Sequence, residues 1–401
     1  MSGRYARFVE YAAPRMGGNG RRRESGGWSE GGIPPTDWII MKKPLIIAEL
    51  GTGHGGSLGQ AKELVDAAAA AGADCVKFQI VYADEILHPN AGLVPLPGGD
   101  TPLYNVFKKL EVNEDFWPEI QKYAESKNVR FLATPFGPKS AALLKRLRPA
   151  AVKIASPELN YTGLLRESAS WGARLILSTG VSTLGDIERA ISTVREAGNV
   201  EIWLLHCVTA YPALPSEYNL RLLVSLCAIF GLPVGLSDHS LNPGLLPSLA
   251  AALGAAAVEK HFCLSRDGGG LDDPIALPPA QFAEMAALVN ETAAVVEQDG
   301  ARAAIAGLER RFGEAAVTEA LGDGVKRPAP AEAANYGRTN RSIHAVCGIK
   351  KGELLSAHNM AVLRTEKVLR PGLAPCFWET LIGRPARTTI PAGEGIRFED
   401  V

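Results

Sequence analysis

Two histidines stand 22 positions apart, His239 closing Gly-Leu-Ser-Asp-His (235–239) and His261 closing Val-Glu-Lys-His (258–261). Each ends a short apolar run of strand length, and Leu241–Gly254 between them carries a helical spacing of Leu and Ala. A strand–helix–strand crossover within one sheet returns the chain to the same edge, so both imidazoles face one cavity. Two convergent imidazoles suit a transition metal such as Zn, Mn, Fe or Co rather than Ca. The competing use is a pair of core or hydrogen-bonding histidines.

The elements that must position them recur along the chain. Apolar runs of strand length lie at Leu45–Leu50, Cys75–Ile80, Arg130–Ala133, Ala151–Ala155, Arg174–Leu177, Ile202–Leu205, Pro233–Leu236 and Ala256–Phe262. Helical spacing follows them, as at Leu58–Ala71, Phe116–Lys127, Ser140–Arg146, Leu184–Ala197 and Pro279–Val296. The runs are continuous rather than alternating, which fits parallel strands covered on both faces. Eight such units over about 255 residues predict an α/β fold, a (β/α)8 TIM barrel. The alternative, a doubly wound open sheet, lacks a GxGxxG after the first strand.

In such a barrel, chemistry gathers where strands end. The predicted ends carry, in chain order, Glu49 with Gly51-Thr-Gly-His54, Lys77 with Gln79, Thr134, and Lys153 with Ser156. Ser178, His206-Cys207 with Tyr211, Ser237-Asp238-His239, and Glu259-Lys260-His261 with Asp272 complete the set. Polarity at every end describes a binding or catalytic mouth. Lys77 and Lys153 lie within apolar strands, where a lysine needs a partner. With Thr134, Ser156, Ser178 and Ser237 they suit a small anion bearing phosphate and carboxylate. A structural ion pair and a Schiff-base lysine are the competing uses. A metal on His239 and His261 would polarise a carbonyl or hold a water, with Glu49 and Asp272 as acid/base or hydroxyl-binding carboxylates.

The composition, 46% hydrophobic and 21% charged with a net charge of −1, is that of an ordinary soluble protein. Nothing in it recruits nucleic acid or an acidic membrane, and no apolar run approaches a membrane span. The six cysteines contain no CxxC pair, which points to a reduced, cytoplasmic setting. Residues 1–40, basic and glycine-rich, read as a disordered extension, and Met41-Lys-Lys-Pro as a natural start. Residues 41–297 form the barrel, 298–338 a partly helical linker, and 339–401 a small β-rich domain that needs docking at that size.

Taken together, Ile-Ile-Ala-Glu-Leu-Gly (46–51), Val-Lys-Phe-Gln (76–79), Ala-Thr-Pro-Phe (133–136) and Val-Lys-Ile-Ala-Ser (152–156) resemble the sialic acid synthase family. Leu-Ser-Thr-Gly (177–180), Leu-His-Cys-x-x-x-Tyr-Pro (205–212) and both histidine motifs extend the resemblance, and the last segment is similar to antifreeze-like (SAF) modules. The resemblance implies condensation of phosphoenolpyruvate with an N-acetylated hexosamine such as N-acetylmannosamine, giving a nine-carbon 2-keto-3-deoxy acid and phosphate. It implies Mn2+ on His239 and His261. It places phosphoenolpyruvate on Lys77, Thr134, Lys153, Ser156, Ser178 and Ser237, and sugar hydroxyls on Glu49, Gln79, Tyr211 and Asp272. It also implies a domain-swapped homodimer in which Arg341 of the SAF domain meets the N-acyl group.

The sequence departs from the family pattern at Gly53 before His54, at Asp273 after Asp272, and at Ala276. These lie on the sugar side, which leaves legionaminate and pseudaminate synthases as alternative readings. His54 is either a substrate contact or a loop-ordering group; His206, His88, His344 and His358 read as structural or local. A catalytically silent sugar-binding scaffold and a metal-dependent aldolase or keto-acid synthase are the competing classes.

Overall fold

The computed structural model describes residues 43–96, 99–198, 200–366 and 368–401, so the expectation for 1–40 lies outside the described residues. The predicted strands are present: β1 Leu45–Gly51, β2 Cys75–Ile80, β3 Arg130–Pro135, β4 Ala151–Ile154, β5 Arg174–Ser178, β6 Ile202–Cys207, β7 Val234–Asp238 and β8 Ala257–His261. They pair in the order β3-β2-β1-β8-β7-β6-β5-β4, and every ladder is parallel. β4 packs beside β3 and brings the sheet round into a barrel, although no registered ladder joins that pair among the described residues.

The strands are buried on both faces, but the two faces differ. Leu45, Ile47, Cys75, Leu132, Ile176 and Leu205 point inward and fill the lower barrel. Ile46, Ala48, Val76 and Phe78, one position out of phase, pack under the helices. The period of two therefore survives inside runs that are wholly apolar. Helices start where their caps allow. Ser57 accepts the Gln60 N–H ahead of Leu58–Ala70, and Thr183 with Asp186 forms a capping box ahead of Leu184–Ala197.

Two regions depart from the sequence reading. Between β2 and β3 the chain makes an excursion holding a hairpin, Val94–Leu96 with Gly99–Thr101, and a helix, Leu103–Leu110. Its apolar side chains, among them Ile86, Leu87 and Phe107, cluster with Phe136 and with Leu369 of the last domain. The segment read as a linker contains two helices, Ala301–Phe312 and Glu314–Leu321, whose Ala304, Leu308, Val317 and Ala320 join the main core. Apolar spacing of three and four residues gives each helix a buried stripe, which makes them part of the barrel's outer layer.

The last domain pairs β9 (Arg341–Ala345) antiparallel with β10 (Met360–Arg364), and isolated bridges replace a larger sheet. Its small core, including Ile343, Ile349, Met360, Leu381 and Ile390, is marginal alone. Within one chain it docks on its own barrel through a buried charge cluster. Glu158 Oε1 accepts from Arg341 Nε at 2.9 Å and from Arg364 Nη2 at 2.8 Å. Arg341 also donates to the carbonyls of Phe136 (2.9 Å), Val362 (3.2 Å) and Glu85. Glu158 and Arg341 are both fully buried, so removing one partner strands the other. Glu158→Ala is expected to cost about 3–5 kcal/mol in urea denaturation, with new protease cleavage at the joint between the two domains.

Candidate active site

The upper barrel is filled by charge. Along β1, Leu45 and Ile47 face inward and Glu49 follows; along β2 the sequence is Cys75, Lys77, Gln79; along β8 it is Ala257, Glu259, His261. The ladder sets Glu49 beside both Lys77 and His261, and Glu259 beside Ser237. Lys77 Nζ lies 3.1 Å from Glu49 Oε2 and 2.9 Å from Glu259 Oε2. Lys153 Nζ is 3.6 Å from Glu259 Oε1, which also accepts the Ser237 hydroxyl at 2.8 Å. Gln79 Nε2 donates to Glu49 Oε1 at 2.7 Å.

The two carboxylates are driven apart. Burial opposes ionisation of Glu259, but Lys153 and Lys77 overcome it and hold the carboxyl well below the usual range. Glu49 is raised, first by burial, against the pull of Lys77 and with the charge of Glu259 adding to the rise. Lys77 is held protonated above its ordinary value by Glu259 and Glu49 despite its burial. One carboxyl thus stays an anion between lysines while the other can carry a proton, the division an acid/base site requires.

The imidazoles sit over this layer. The rings of His239 and His261 are 5.3 Å apart, and Tyr211 stacks on His239 at 4.3 Å. His239 Nδ1 bonds the Val208 carbonyl at 2.8 Å, which orients the ring and leaves Nε2 for another partner. Burial pushes His261 well below its ordinary value, so it stays neutral as a metal ligand must. Against burial, Cys207 holds His239 above its ordinary value, so a metal there would displace the His239 proton. The donor set therefore fits a divalent transition metal with two protein imidazoles. Among the described residues no group of three or more His, Cys, Asp or Glu side chains gathers for a metal. Asp272 Oδ2 lies 3.6 Å from His261 Nδ1. A Cβ at Gly51 (φ +53°) would sit 3.3 Å from that oxygen, 3.4 Å from Gln79 Nε2 and 3.5 Å from Glu49 Oε1. Gly51 is thus where three of the four expected sugar contacts converge, and its left-handed backbone favours glycine.

On the opposite side, Thr134 Oγ1 and Ser178 Oγ are buried with no hydrogen-bond partner among the described residues. Ser156 Oγ accepts the Gly180 N–H at 3.0 Å and is also hydrogen-bonded with the Cys207 thiol. Hydroxyls left without partners beside two buried lysines form a cradle for an anion.

Behind the mouth, Lys260 and Asp238, each next to one of the histidines, form a fully buried pair at 2.6 Å. Asp238 also accepts the Ser240 N–H, and Lys260 donates to the Ser240 carbonyl, so the two strand ends that carry the imidazoles are tied together. The model of the NeuB family matches residues 64–301, and that of the SAF domain matches 340–401.

The chain belongs to the NeuB family.

Spore coat polysaccharide biosynthesis protein SpsE of Bacillus subtilis is 36% identical over 359 residues, 89% of this chain and 93% of that protein. Its crystal structure aligns with a TM-score of 0.73 at 35% identity, covering 90% of this chain and 95% of the other. An N,N'-diacetyllegionaminic acid synthase of Campylobacter jejuni is 34% identical over 89% of this chain and 100% of its own length. A pseudaminic acid synthase of the same species is 33% identical over 90% and 97%. The NeuB-family chain is thus a relative of synthases of nine-carbon sugar acids.

Twelve of the thirteen expected site residues lie at this mouth, whereas Arg341 lies in the joint between the two domains of its own chain. There its guanidinium is buried and donates to Glu158 and to four backbone carbonyls. The guanidinium of this domain whose charge reaches Tyr211 is Arg364. His54 orders its loop: Nδ1 accepts the Gly56 N–H at 3.0 Å and the ring packs 4.9 Å from Phe116 beneath the helices. Asp273 accepts the Gly270 N–H at 2.7 Å and so shapes the glycine-rich loop. His206 bonds the Tyr218 carbonyl on the outer face of β6. Two inward groups had been given no role, Glu259 and Cys207, whose Sγ lies 3.9 Å from His239 Nδ1. Both sit two positions from an inward neighbour, a signal that period-two reading from His261 and Leu205 supplies. Thr134→Val and Ser178→Ala are expected to keep or raise stability of the free protein, by up to about 1 kcal/mol each, because an unpartnered buried hydroxyl is removed. Chemical denaturation alongside phosphoenolpyruvate titration checks this, with affinity expected to fall in both variants.

Proposed function

We propose that this protein is a nonulosonic acid synthase. It condenses phosphoenolpyruvate with an N-acetylated hexosamine, N-acetylmannosamine or a diacetamido relative, to a nine-carbon 2-keto-3-deoxy acid and phosphate. The observation that carries the reading is the anion cradle of Lys77, Lys153 and the unpartnered Thr134 and Ser178 hydroxyls, set beside two oriented imidazoles. The legionaminic and pseudaminic acid synthases among its relatives support the reaction class and favour a diacetamido sugar as readily as N-acetylmannosamine.

His239 and His261 would hold Mn2+, which supplies a Lewis acid toward the sugar aldehyde. Lys77, Lys153, Thr134, Ser156, Ser178 and Ser237 bind and orient phosphoenolpyruvate. Its C3 forms the new bond to the aldehyde carbon while water adds at C2, and the C2–O bond to phosphate breaks as the ketone forms. Glu49 is the proton carrier: its raised pKa lets it give a proton to the forming hydroxyl or take one from the attacking water. Gln79 holds Glu49 in place, and Asp272 and Tyr211 meet the sugar hydroxyls.

Phosphate release from phosphoenolpyruvate with Mn2+ tests the proposal across N-acetylmannosamine, its 6-phosphate, two diacetamido sugars and a no-sugar control. Release with one sugar, lost on chelation and reduced by more than about 100-fold in His239→Ala, supports it and names the acceptor. A folded protein that binds Mn2+ but releases phosphate with none of these sugars overturns it in favour of a silent scaffold.

The pH dependence carries a second prediction. Burial pushes Lys153 down to about 8, against the pull of Glu259 and with the charge of Lys77 adding to the fall. Anion binding needs the ammonium form, so kcat/KM for phosphoenolpyruvate is expected to decline above pH 8. Glu259→Gln removes the pull that keeps Lys153 charged and moves that limb to lower pH, read from a pH series of kcat/KM.

A further inference from the structure

Glu332 lies outside both matched regions, in the short helix Pro330–Ala333 that leads into the SAF domain, and only 1% of its surface is exposed. Among the described residues its carboxylate makes no hydrogen bond to a side chain. Oε1 accepts the backbone N–H of Val181 at 2.8 Å and of Thr209 at 2.6 Å, and Oε2 accepts that of Ala329 at 3.1 Å. Val181 belongs to the loop after β5 and Thr209 to the loop after β6. A single carboxylate from the chain between the domains therefore joins two loops of the mouth.

Val181 is a β-branched residue held at φ +40°, a conformation such side chains avoid. Both sides of it are clamped: Glu332 takes its N–H, and Asn340 Nδ2 donates to its carbonyl at 3.0 Å. Lys326, from the same segment, donates to the Thr179 carbonyl at 3.0 Å. These bonds set the path of Ser178-Thr179-Gly180, which presents the Ser178 hydroxyl and the Gly180 N–H that Ser156 accepts. Gly180 leaves no room for adjustment, because a Cβ there would collide with Thr209 Oγ1 and lie 2.9 Å from Ser156 Oγ. On the second loop, Thr209 adjoins Val208, whose carbonyl orients His239.

We infer that Glu332 is a positioning residue: through Val181 and Thr209 it holds the serine cradle and the His239 support in register, so the segment joining the domains completes the anion site. This rests on the phosphoenolpyruvate reading above. Charge alone predicts the opposite sign, since deleting a carboxylate near an anion site tightens binding.

Calorimetric titration of the full chain with phosphoenolpyruvate separates the possibilities. Glu332→Ala is expected to raise Kd by at least about tenfold, while Glu332→Gln, which keeps Oε1 as an acceptor, stays within about threefold of the parent. Val181→Gly, added to Glu332→Ala, is expected to recover part of the lost affinity, because glycine adopts the left-handed conformation without the clamp. Asn340→Ala, acting from the other side of Val181, gives a smaller loss of the same sign and carries the comparison if Glu332→Ala does not fold. Folded Glu332→Ala with unchanged or tighter binding overturns the inference alone. A parent protein that binds no phosphoenolpyruvate overturns the functional reading and this inference with it.

Discussion

The mouth of this barrel is organised by the contact of Lys77 with Glu259. Neither charge is tolerable in that position alone, since an isolated buried ion carries a desolvation cost of several kcal/mol. Together with Lys153 and Glu49 they make a set of alternating sign across four strands. Several other polar groups at the mouth are placed against it. Ser237 gives its proton to Glu259, Gln79 gives one to Glu49, and the imidazoles occupy the next position along the same strands. The surplus capacity of this arrangement lies in the donors it leaves without acceptors, and an anion is what satisfies them.

The same rule, that buried charge must be matched, explains how the two domains meet. Glu158 sits just after β4, close in sequence to Lys153 and Ser156, yet its partners Arg341 and Arg364 come from β9 and β10. The small domain has too little apolar core to stand rigidly by itself, and its attachment is paid for by these ion pairs plus the cluster around Leu87, Phe107 and Leu369. Docking is therefore part of folding, and the mouth lies next to the joint rather than remote from it.

The sequence made the barrel legible because each strand is a short apolar run ended by a polar residue, and because the runs recur with helical spacing between them. Reading those ends places twelve of the expected residues at one mouth. The joint contact of Arg341 was not legible because its acceptor Glu158 is 183 positions away, and nothing in its own neighbourhood announces it. Glu332 was invisible for a related reason: an Ala- and Pro-rich stretch gives no sign that one carboxylate caps backbone N–H groups more than a hundred residues upstream. The hairpin between β2 and β3 went unseen because its strands are only three residues each. The helix Leu103–Leu110 does carry an apolar face, with Leu103 and Phe107 buried one turn apart, that the sequence reading passed over. Local pattern reports elements, whereas matched burial between distant segments does not register in it.

The separation of Glu158 from Arg341 also bears on how the chain is made. A ribosome adding roughly 5–20 residues per second needs on the order of ten to forty seconds to pass from one to the other. For that interval the nascent barrel holds a carboxylate destined for full burial, with both of its guanidinium partners still unmade. The joint closes only when the last sixty or so residues emerge. A chain stopped before β9 carries an open face where the joint should be, with Glu158 lacking both of its guanidinium partners.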